Sequence, residues 1–299
     1  NIDFSSKFKL ANIVSLFVFL LSLIFIIFKG LNYGIDFKGG TLIEIRADNK
    51  NVNITEIRSS LYTMNLGDIN VKEFGKKGDF LIKVEQKTEN NNKLIPAIKE
   101  NLINNLNAEI DFRRVENVGP KVSSELLHSG LIAISLSLAA MLFYIWIRFE
   151  WQFSIGSIIA LFHDVIITVG IFSILSLEIN LSIIAAVLTI VGYSMNDTVV
   201  IYDRIRENLN KYIKLNISDI ANISVNETLS RTIITSLTTL LALFSIYILG
   251  GEILRGFSFA MILGVLIGTY SSIFVAAPVL KFFKVSYKTL EKKEEKIVP

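Results

Sequence analysis

Six long apolar runs constrain the fold of this sequence more than any other feature. A helix needs about 20 mostly apolar residues to cross the hydrocarbon core of a bilayer. The sequence therefore predicts a polytopic α-helical membrane protein with six transmembrane helices. The runs are Leu10–Phe28, Ser129–Ile147, Ser154–Leu177, Leu181–Tyr202, Thr232–Leu249 and Phe257–Leu280. Since no small-residue cleavage site follows the first run, we expect a retained span and not a signal peptide.

Composition agrees with a membrane protein and excludes several other classes. Of the 299 residues, 52% are hydrophobic and only 19% are charged, whereas soluble domains carry about 25% charged residues. The absence of cysteine excludes a disulfide framework, a thiolate metal site and a cysteine nucleophile. With only two histidines, His128 and His163, we expect no metal site. A net charge of +3 gives no reason to expect nucleic acid as a partner.

The distribution of lysine and arginine predicts the orientation. If the N-terminus is cytoplasmic, the inner segments carry 13 basic residues, and the short outer segments carry only Lys29 and Arg255. The positive-inside rule then places both termini in the cytoplasm and residues 30–127 on the opposite, extracytoplasmic side of the membrane. The basic tail Lys288–Lys296 is best interpreted as a solvated anchor, and the alternative is binding of anionic lipid.

Residues 30–127 have the composition of a soluble domain, with 14 basic and 14 acidic side chains. Alternating and helical patterns, with a Gly75–Gly78 turn between the second and third strands, predict the order β-α-β-β-α-β. This order is typical of a ferredoxin-like α+β fold, which we expect in the periplasm between helices 1 and 2. The segments are Thr41–Ala47, Ile54–Met64, Ile69–Phe74, Phe80–Glu85, Leu94–Leu106 and Ala108–Val115.

The sequence thus predicts four regions. Residues 1–29 form the N-terminus and helix 1, and residues 30–127 form the periplasmic domain. Residues 128–283 form helices 2–6 with a cytoplasmic loop at 203–230, and residues 284–299 form the basic tail. At the domain entry, GIDFKGGT contains Gly34, Asp36, Gly39 and Gly40. It lacks the spacing of a phosphate-binding loop, so we expect a turn or close backbone packing there.

One carboxylate lies inside the fourth span. Asp197 precedes the inner boundary by about two helical turns, flanked by Asn196 and Thr198. An ionised side chain at the centre of a bilayer costs at least about 2.5–3.5 kcal/mol, so it requires a partner or a function. We favour proton or ion handling, and the alternative is a buried carboxylate that only bonds a neighbouring helix.

A cation lies at a similar depth on the next helix. Arg231 is at the inner boundary of the fifth span, and Thr235 begins a stripe of hydroxyl groups above it. Arg231 can either pair with Asp197 or extend to the interface. The hydroxyl stripe can bond across helices or line a water path. Ser224 and Glu227 have capping-box spacing, which predicts that this helix begins before the apolar run.

Two further features of the spans can serve either a structural or a functional role. His163 and Asp164 lie near the middle of the third span, where they can form either a proton relay or a structural polar contact. Adjacent helical residues point about 100° apart, so both cannot face one partner squarely. Gly264 and Gly268 in the sixth span form a G-x-x-x-G motif, which favours close helix packing.

Four motifs together resemble the SecF family of bacterial protein-export membrane proteins. They are GIDFKGGT after span one, FHDV in span three, GYSMNDTVVIYDRIREN in span four and SRTIITSLTTL at span five. The family belongs to the resistance–nodulation–division superfamily. The resemblance covers nearly the whole chain, in the order of one span, one outer domain and five spans.

The resemblance implies a function in protein export without covalent catalysis or a cofactor. A SecD subunit would supply the complementary six helices, and the pair would associate with the SecYEG channel and YajC in the bacterial inner membrane. The pair would use the proton-motive force, or sodium as the coupling ion, to promote preprotein translocation after the ATP-driven step. Asp197 and Arg231 would be the charges of the proton path. Supporting roles would fall to His163, Asp164, Asn196, Thr198 and Thr235.

Two other functions remain open at this point. The chain can be a structural subunit that scaffolds the channel, with its buried charges serving assembly. It can also be one half of a proton-coupled efflux transporter for small molecules. The single outer domain of about 95 residues is small for the periplasmic part of an efflux pump, which disfavours this alternative.

Overall fold

The structure, a computed structural model, describes most of the chain. The described residues are 2–48, 52–64, 66, 69–73, 76–84, 94–106, 108–287 and 289. They divide into two compact units. The membrane unit comprises residues 1–32, 133–177 and 182–299, and the α/β unit comprises residues 33–132 together with 178–181. The basic tail lies largely outside the described residues.

Helices dominate the membrane unit, and strands occur beside shorter helices in the α/β unit. In chain order the elements are α1 (Phe8–Phe28), β1 (Asn32–Tyr33), α2 (Ile35–Lys38), β2 (Gly40–Ala47), α3 (Ile54–Tyr62), β3 (Ile69–Glu73), β4 (Asp79–Val84), α4 (Leu94–Asn105), β5 (Ile110–Val118), α5 (Pro120–Arg148), α6 (Trp151–Ile174), β6 (Glu178–Ile179), α7 (Leu181–Lys211), α8 (Ile217–Leu249), α9 (Gly251–Ser271), a π-helical turn (Ser272–Ala276) and α10 (Ala277–Phe282).

Six helical segments in the described chain are long and apolar enough to cross a membrane, which confirms the predicted number. They are Ser5–Phe28, Pro120–Arg148, Trp151–Ile174, Leu181–Lys211, Ile217–Leu249 and Leu254–Phe282. Several extend well beyond the apolar runs. Helix propensity and backbone hydrogen bonding continue into polar sequence, so hydropathy marks the apolar part of a helix and not its ends.

Three of the six segments form the interior of the membrane unit. The buried share of the most apolar part is 56% for α6, 50% for α7 and 61% for the last segment, against 11–17% for α1, α5 and α8. Tyr202 is fully buried among aromatic rings and donates a hydrogen bond to the Ala276 carbonyl. The central helices therefore carry the polar site described below.

Helix α8 begins earlier than its apolar run, as predicted, but the predicted cap is wrong. Asn216 is the N-cap, and its side chain accepts a hydrogen bond from the Asp219 amide. Ser224 lies inside the helix, fully buried, and accepts a hydrogen bond from Asn208 of α7. Capping-box spacing also arises by chance within helices, where a serine serves a neighbouring helix instead.

The α/β unit contains a four-stranded antiparallel sheet in the order β3-β4-β2-β5. Helices α3 and α4 contribute Ile57, Leu61, Ile98 and Leu102 to its core, and all four are fully buried. The observed order β-α-β-β-α-β is the predicted one, while the ferredoxin-like classification stays a prediction. The last strand begins and ends later than predicted, at Ile110–Val118. Phe74, Gly75 and Glu85 of the predicted hairpin lie outside the described residues.

The glycine-rich motif forms a short helix followed by a tight turn. Gly39 has φ of +80° and Gly40 has φ of +140°, a region that favours glycine. A Cβ atom on Gly39 would lie 3.3 Å from the Pro120 Cα. The motif also binds the segment 178–181, because Asp36 Oδ2 accepts a hydrogen bond from the Leu181 amide at 2.9 Å. The predicted turn and close backbone packing are therefore present.

The pair Arg46–Asp79 should make the stability of the α/β unit depend on pH. Arg46 donates to both carboxylate oxygens of Asp79, at 2.5 and 2.6 Å, across the β2–β4 register. These bonds hold the Asp79 pKa below its ordinary 3.8. Their stabilisation is therefore present above that pH and lost as the pH falls through the lower pKa of the folded state. We expect Asp79→Asn to accelerate hydrogen exchange severalfold in β2 and β4 at pH 7.

The difference in hydrogen-exchange rate between wild type and Asp79→Asn should become smaller below pH 3.8. Labelling times are scaled at each pH for the intrinsic exchange rate. Asp111→Asn is the matched control, because Asp111 is exposed and lies 3.7 Å from Arg113. Exposed ion pairs contribute little to stability. Equal exchange in the two variants at pH 7 would contradict the prediction.

Candidate functional site

Asp164 is the centre of a polar network between three helices. Its side chain lies on α6 and is fully buried. Ser271 of α9 donates a hydrogen bond to Oδ2 at 2.7 Å, and Ser194 of α7 donates to the same oxygen. Oδ1 lies 2.8 Å from Nδ1 of His163. Three partners therefore satisfy this carboxylate and join α6, α7 and α9.

Close approach of α9 to α7 makes this network possible. A Cβ atom on Gly268 would lie 3.0 Å from the Ser194 Cβ, and one on Gly264 would lie 2.3 Å from the Ile190 Cγ1. These two glycines therefore let the helices approach at the level of Ser194. The packing role predicted from the G-x-x-x-G motif is confirmed.

A π-helical turn follows Ser271 directly. Ser272 begins this turn, and its hydroxyl lies 2.9 Å from that of Thr198 on α7. At the other end, Ala276 accepts the Tyr202 hydrogen bond at 2.9 Å. A π turn displaces carbonyl groups from the regular helical pattern and frees them for other donors. The irregular part of the last span therefore begins directly after the two residues, Thr269 and Ser271, that contact the buried carboxylates.

Asp197 is also buried but much less well satisfied. It is 3% exposed, and its one hydrogen bond from a described residue is the 3.4 Å contact with the Thr269 hydroxyl of α9. That hydroxyl lies 2.7 Å from the Ser236 hydroxyl of α8. A chain of two hydroxyl groups thus links Asp197 to two neighbouring helices. Unlike Asp164, this carboxylate has no short hydrogen bond from the described residues.

The expected ion pair between Asp197 and Arg231 is not formed in this structure. Within the described chain, no basic group lies within 4.0 Å of the Asp197 carboxylate. Arg231 lies on an exposed part of α8, and Asn196 lies on an exposed part of α7. Neither side chain forms a hydrogen bond with the buried network, although Arg231 is near enough for its charge to act on the Asp197 carboxylate.

The hydroxyl groups in the stripe of α8 differ in whether they bond to their own helix or to a neighbouring helix. Thr235 donates at 3.0 Å to the carbonyl groups of Arg231 and Thr232 on its own helix. Ser236 instead reaches α9, and Thr239 accepts a 3.3 Å hydrogen bond from Tyr193 of α7. Thr235 is therefore satisfied locally, while Ser236 and Thr239 connect helices.

His163 occupies the side of α6 that faces α1. Its ring stacks on Phe19 with 6.5 Å between ring centroids, while Asp164 faces α7 and α9. The two residues point in different directions, as their adjacency predicts, although their side chains also contact each other. Nε2 of His163 is buried without a hydrogen-bond partner among the described residues. The geometry gives Asp164 a structural polar contact and leaves one imidazole nitrogen available.

Sequence reasoning missed the polar residues that the last span contributes. Thr269, Ser271 and Ser272 contact Asp197, Asp164 and Thr198 respectively. Their cluster in the sequence TYSS inside an apolar run was a usable signal, because hydroxyl groups in membrane helices often bond across helices. Ser194 was hidden beside the more conspicuous Asp197.

The described residues thus form a multi-pass membrane protein with an ionisable network between its central helices. Buried carboxylates of this kind often mark ion pathways in membrane proteins. No group of three or more metal-ligating side chains occurs in the part of the chain that the structure describes.

The family follows from comparison of the sequence with known proteins. Residues 98–286 match the model of the protein export membrane protein SecD/SecF C-terminal region, and residues 24–50 match that of the SecD/SecF GG motif. The chain therefore belongs to the SecD/SecF family. It is 47% identical over 282 residues to the protein translocase subunit SecF of Rickettsia bellii, covering 94% of this chain and 93% of that protein. For the Rickettsia rickettsii subunit the identity is 45% over 294 residues, with coverage of 97% and 95%.

Solved structures agree in fold. SecDF from Thermus thermophilus, described as a translocon-associated membrane protein, superposes with a TM-score of 0.85 at 35% identity. The match covers 95% of this chain and 38% of that chain. SecDF in the super-membrane-facing form gives a TM-score of 0.70 at 34% identity, with coverage of 99% and 40%. This chain thus spans about two fifths of the length of SecDF.

Packing at Gly268 should control the stability of the network. We expect Gly268→Ala to destabilise the membrane unit by about 1–3 kcal/mol, because the added methyl group must displace Ser194 and its bond to Asp164. Thermal unfolding of the full chain in detergent measures this. Gly192→Ala is the matched control on α7, since a Cβ atom there would meet nothing within 4 Å. Equal melting of the two variants would contradict the role of close packing.

Proposed function

We propose that this chain is a subunit of the Sec protein translocase that couples the proton-motive force to preprotein export across the bacterial inner membrane, after the ATP-driven step. Family membership and the close relatives support the coarser part, a translocase subunit. The observation that carries the finer part is the buried Asp197 carboxylate, which has one long hydrogen bond and, among the described residues, no basic group within 4.0 Å. Protonation would remove a charge that this site compensates only in part, through the more distant Arg231.

In this proposal Asp197 alternates between two states. In one it is protonated and keeps the contact with the Thr269 hydroxyl that the structure shows. In the other it is ionised and Arg231 of the neighbouring helix moves to pair with it. A change of partner requires α7 and α8 to repack, because the exposed Arg231 does not contact the carboxylate in the structure. Proton entry from the outside would thereby drive movement between two helix arrangements.

The α/β unit would carry this movement to the translocating polypeptide. Asp36 of the glycine-rich motif binds the amide of Leu181, the first residue of α7. The backbone amide of Gly34 also donates to the Ile179 carbonyl at 2.8 Å. The helix that carries Asp197 therefore begins in a segment held by this motif. Movement of α7 would be transmitted to the motif by these hydrogen bonds.

A second membrane subunit would complete the site. The exposed face of α8 is strongly apolar, and it includes Ile233, Ile234, Leu237 and Leu241 beside Arg231. SecDF chains, of which this chain covers about two fifths, support a SecD subunit as the complementary half. Association with the SecYEG channel and YajC, with both termini in the cytoplasm and the α/β unit in the periplasm, belongs to the same proposal.

A scaffolding role is the second candidate, and Asp164 favours it. Three partners satisfy this carboxylate, so it can hold α6, α7 and α9 together. The coupling role and the scaffolding role predict different effects of substituting Asp197. A coupling residue affects transport in an assembled complex, whereas an assembly residue affects formation of the complex.

Asp197→Asn tests the coupling role. The amide keeps the size of the side chain and removes its titration. We expect export driven by an imposed proton gradient to fall to the level seen without a gradient, while the variant still co-purifies with the SecD subunit. The measurement is the rate of preprotein completion in inverted membrane vesicles, with and without the gradient, after ATP has been removed.

Asp203→Asn is the matched control on the same helix. Asp203 pairs with Arg148 at 2.8 Å, and both side chains are 42% exposed, so its loss should leave the rate nearly unchanged. A wild-type rate for Asp197→Asn would refute the relay, and loss of co-purification would favour the scaffold. A sodium gradient in place of the proton gradient distinguishes the coupling ion.

A further inference from the structure

A groove runs along α1, starting at the end of the membrane unit that carries Lys9 and Lys281. Its first part is a cavity of about 820 Å³ between α1, the start of α8 and α10, with Lys9 and Lys281 in its lining. A second cavity of about 420 Å³ continues from it along α6 as far as His163. The two share Asn12, Leu16 and Phe282. They therefore form one elongated groove with a polar end and an apolar end.

The polar end carries unpaired positive charge. Lys9 and Lys281 are the charged side chains of its lining, and neither pairs with an acidic group in the described part of the chain. Asp3 contacts the lining only through Ser5 and Ser6, which donate hydrogen bonds to it. A phosphate group at this end would meet two ammonium groups without a competing internal ion pair.

The rest of the groove suits a hydrocarbon chain. Leu16 is 59% exposed and Phe282 is 79% exposed, and both line each cavity. At the far end, Phe19 and His163 form the wall, and the buried Nε2 of His163 has no described partner. Asn12 lines both cavities, so its amide lies between the basic end and the apolar end of the groove.

We propose that this groove is a binding site for an anionic phospholipid. The phosphate lies between Lys9 and Lys281, Asn12 bonds the glycerol ester region, and one acyl chain follows Leu16 and Phe282 towards His163. The lipid comes from the leaflet in which α1 begins and α10 ends. The site depends on the chain spanning a membrane and is independent of proton coupling. It also covers the side of α6 that carries His163, the contact partner of Asp164.

Native mass spectrometry of the full-length chain tests the site. The probes are dioleoyl phosphatidylglycerol and, as the zwitterionic comparison, dioleoyl phosphatidylcholine. Each basic residue near a membrane surface contributes about 1 kcal/mol to binding anionic lipid, which is about fivefold in affinity. We therefore expect Lys9→Gln/Lys281→Gln to weaken retention of phosphatidylglycerol by about 25-fold, with little effect on phosphatidylcholine.

The matched control is Lys7→Gln/Lys284→Gln. It removes the same charge from exposed lysines at the same end that do not line the groove. Retention in the control with loss in the first variant supports the site. Equal loss in both variants, or no loss in either, overturns it.

A photo-crosslinking residue in place of Leu16 distinguishes lipid from a protein occupant. In the complex co-expressed with the SecD subunit, an adduct with phosphatidylglycerol supports the proposal. An adduct with a protein chain overturns it, because a transmembrane segment would then fill the groove. Asn12→Trp gives an independent test, since an indole in the shared middle of the groove should displace the lipid without altering surface charge.

Discussion

The burial of the Asp164 carboxylate is the constraint on which the centre of the membrane unit depends. A carboxylate shielded from water is tolerated only if donors surround it closely. Here the donors come from two other helices, so α7 and α9 must both approach α6 to within hydrogen-bonding distance. Gly268 permits that approach on the side of α9. The position of one acidic side chain thereby fixes the spacing of three helices.

Asp197 differs from Asp164 in how it is satisfied, although both are buried. The contacts of Asp164 include a 2.7 Å hydrogen bond and a histidine, whereas the one described hydrogen bond of Asp197 is 3.4 Å long. A buried carboxylate with several close hydrogen-bond donors holds its helices together. A buried carboxylate with few donors can change its protonation state or its partner at a lower cost in free energy. This asymmetry is the physical reason for proposing a structural role for Asp164 and a coupling role for Asp197.

The sequence predicted the spans, and it indicated Asp164 and Asp197 as candidate site residues, because an apolar span and a carboxylate inside it both have large free-energy consequences in a membrane. Apolar length defines a membrane helix, and a carboxylate in such a helix is conspicuous. Its partners could not be predicted, because a hydroxyl group in a helix can bond its own backbone or another helix. Thr235 and Ser236 are adjacent, yet only Ser236 reaches α9. Only three-dimensional packing distinguishes the two, and the same is true of the exposed Arg231.

The two buried carboxylates are connected through a single stretch of the last span. Thr269 contacts Asp197, and Ser271, two residues later, contacts Asp164. Because both lie on one rigid helical turn, they cannot move independently. The π-helical turn that follows lacks the regular hydrogen-bonding pattern of an α-helix. It is therefore the part of this span whose backbone can rearrange at the lowest cost in free energy. We therefore expect a change at Asp197 to reach the Asp164 network through α9 and to be absorbed in the segment Ser272–Ala276.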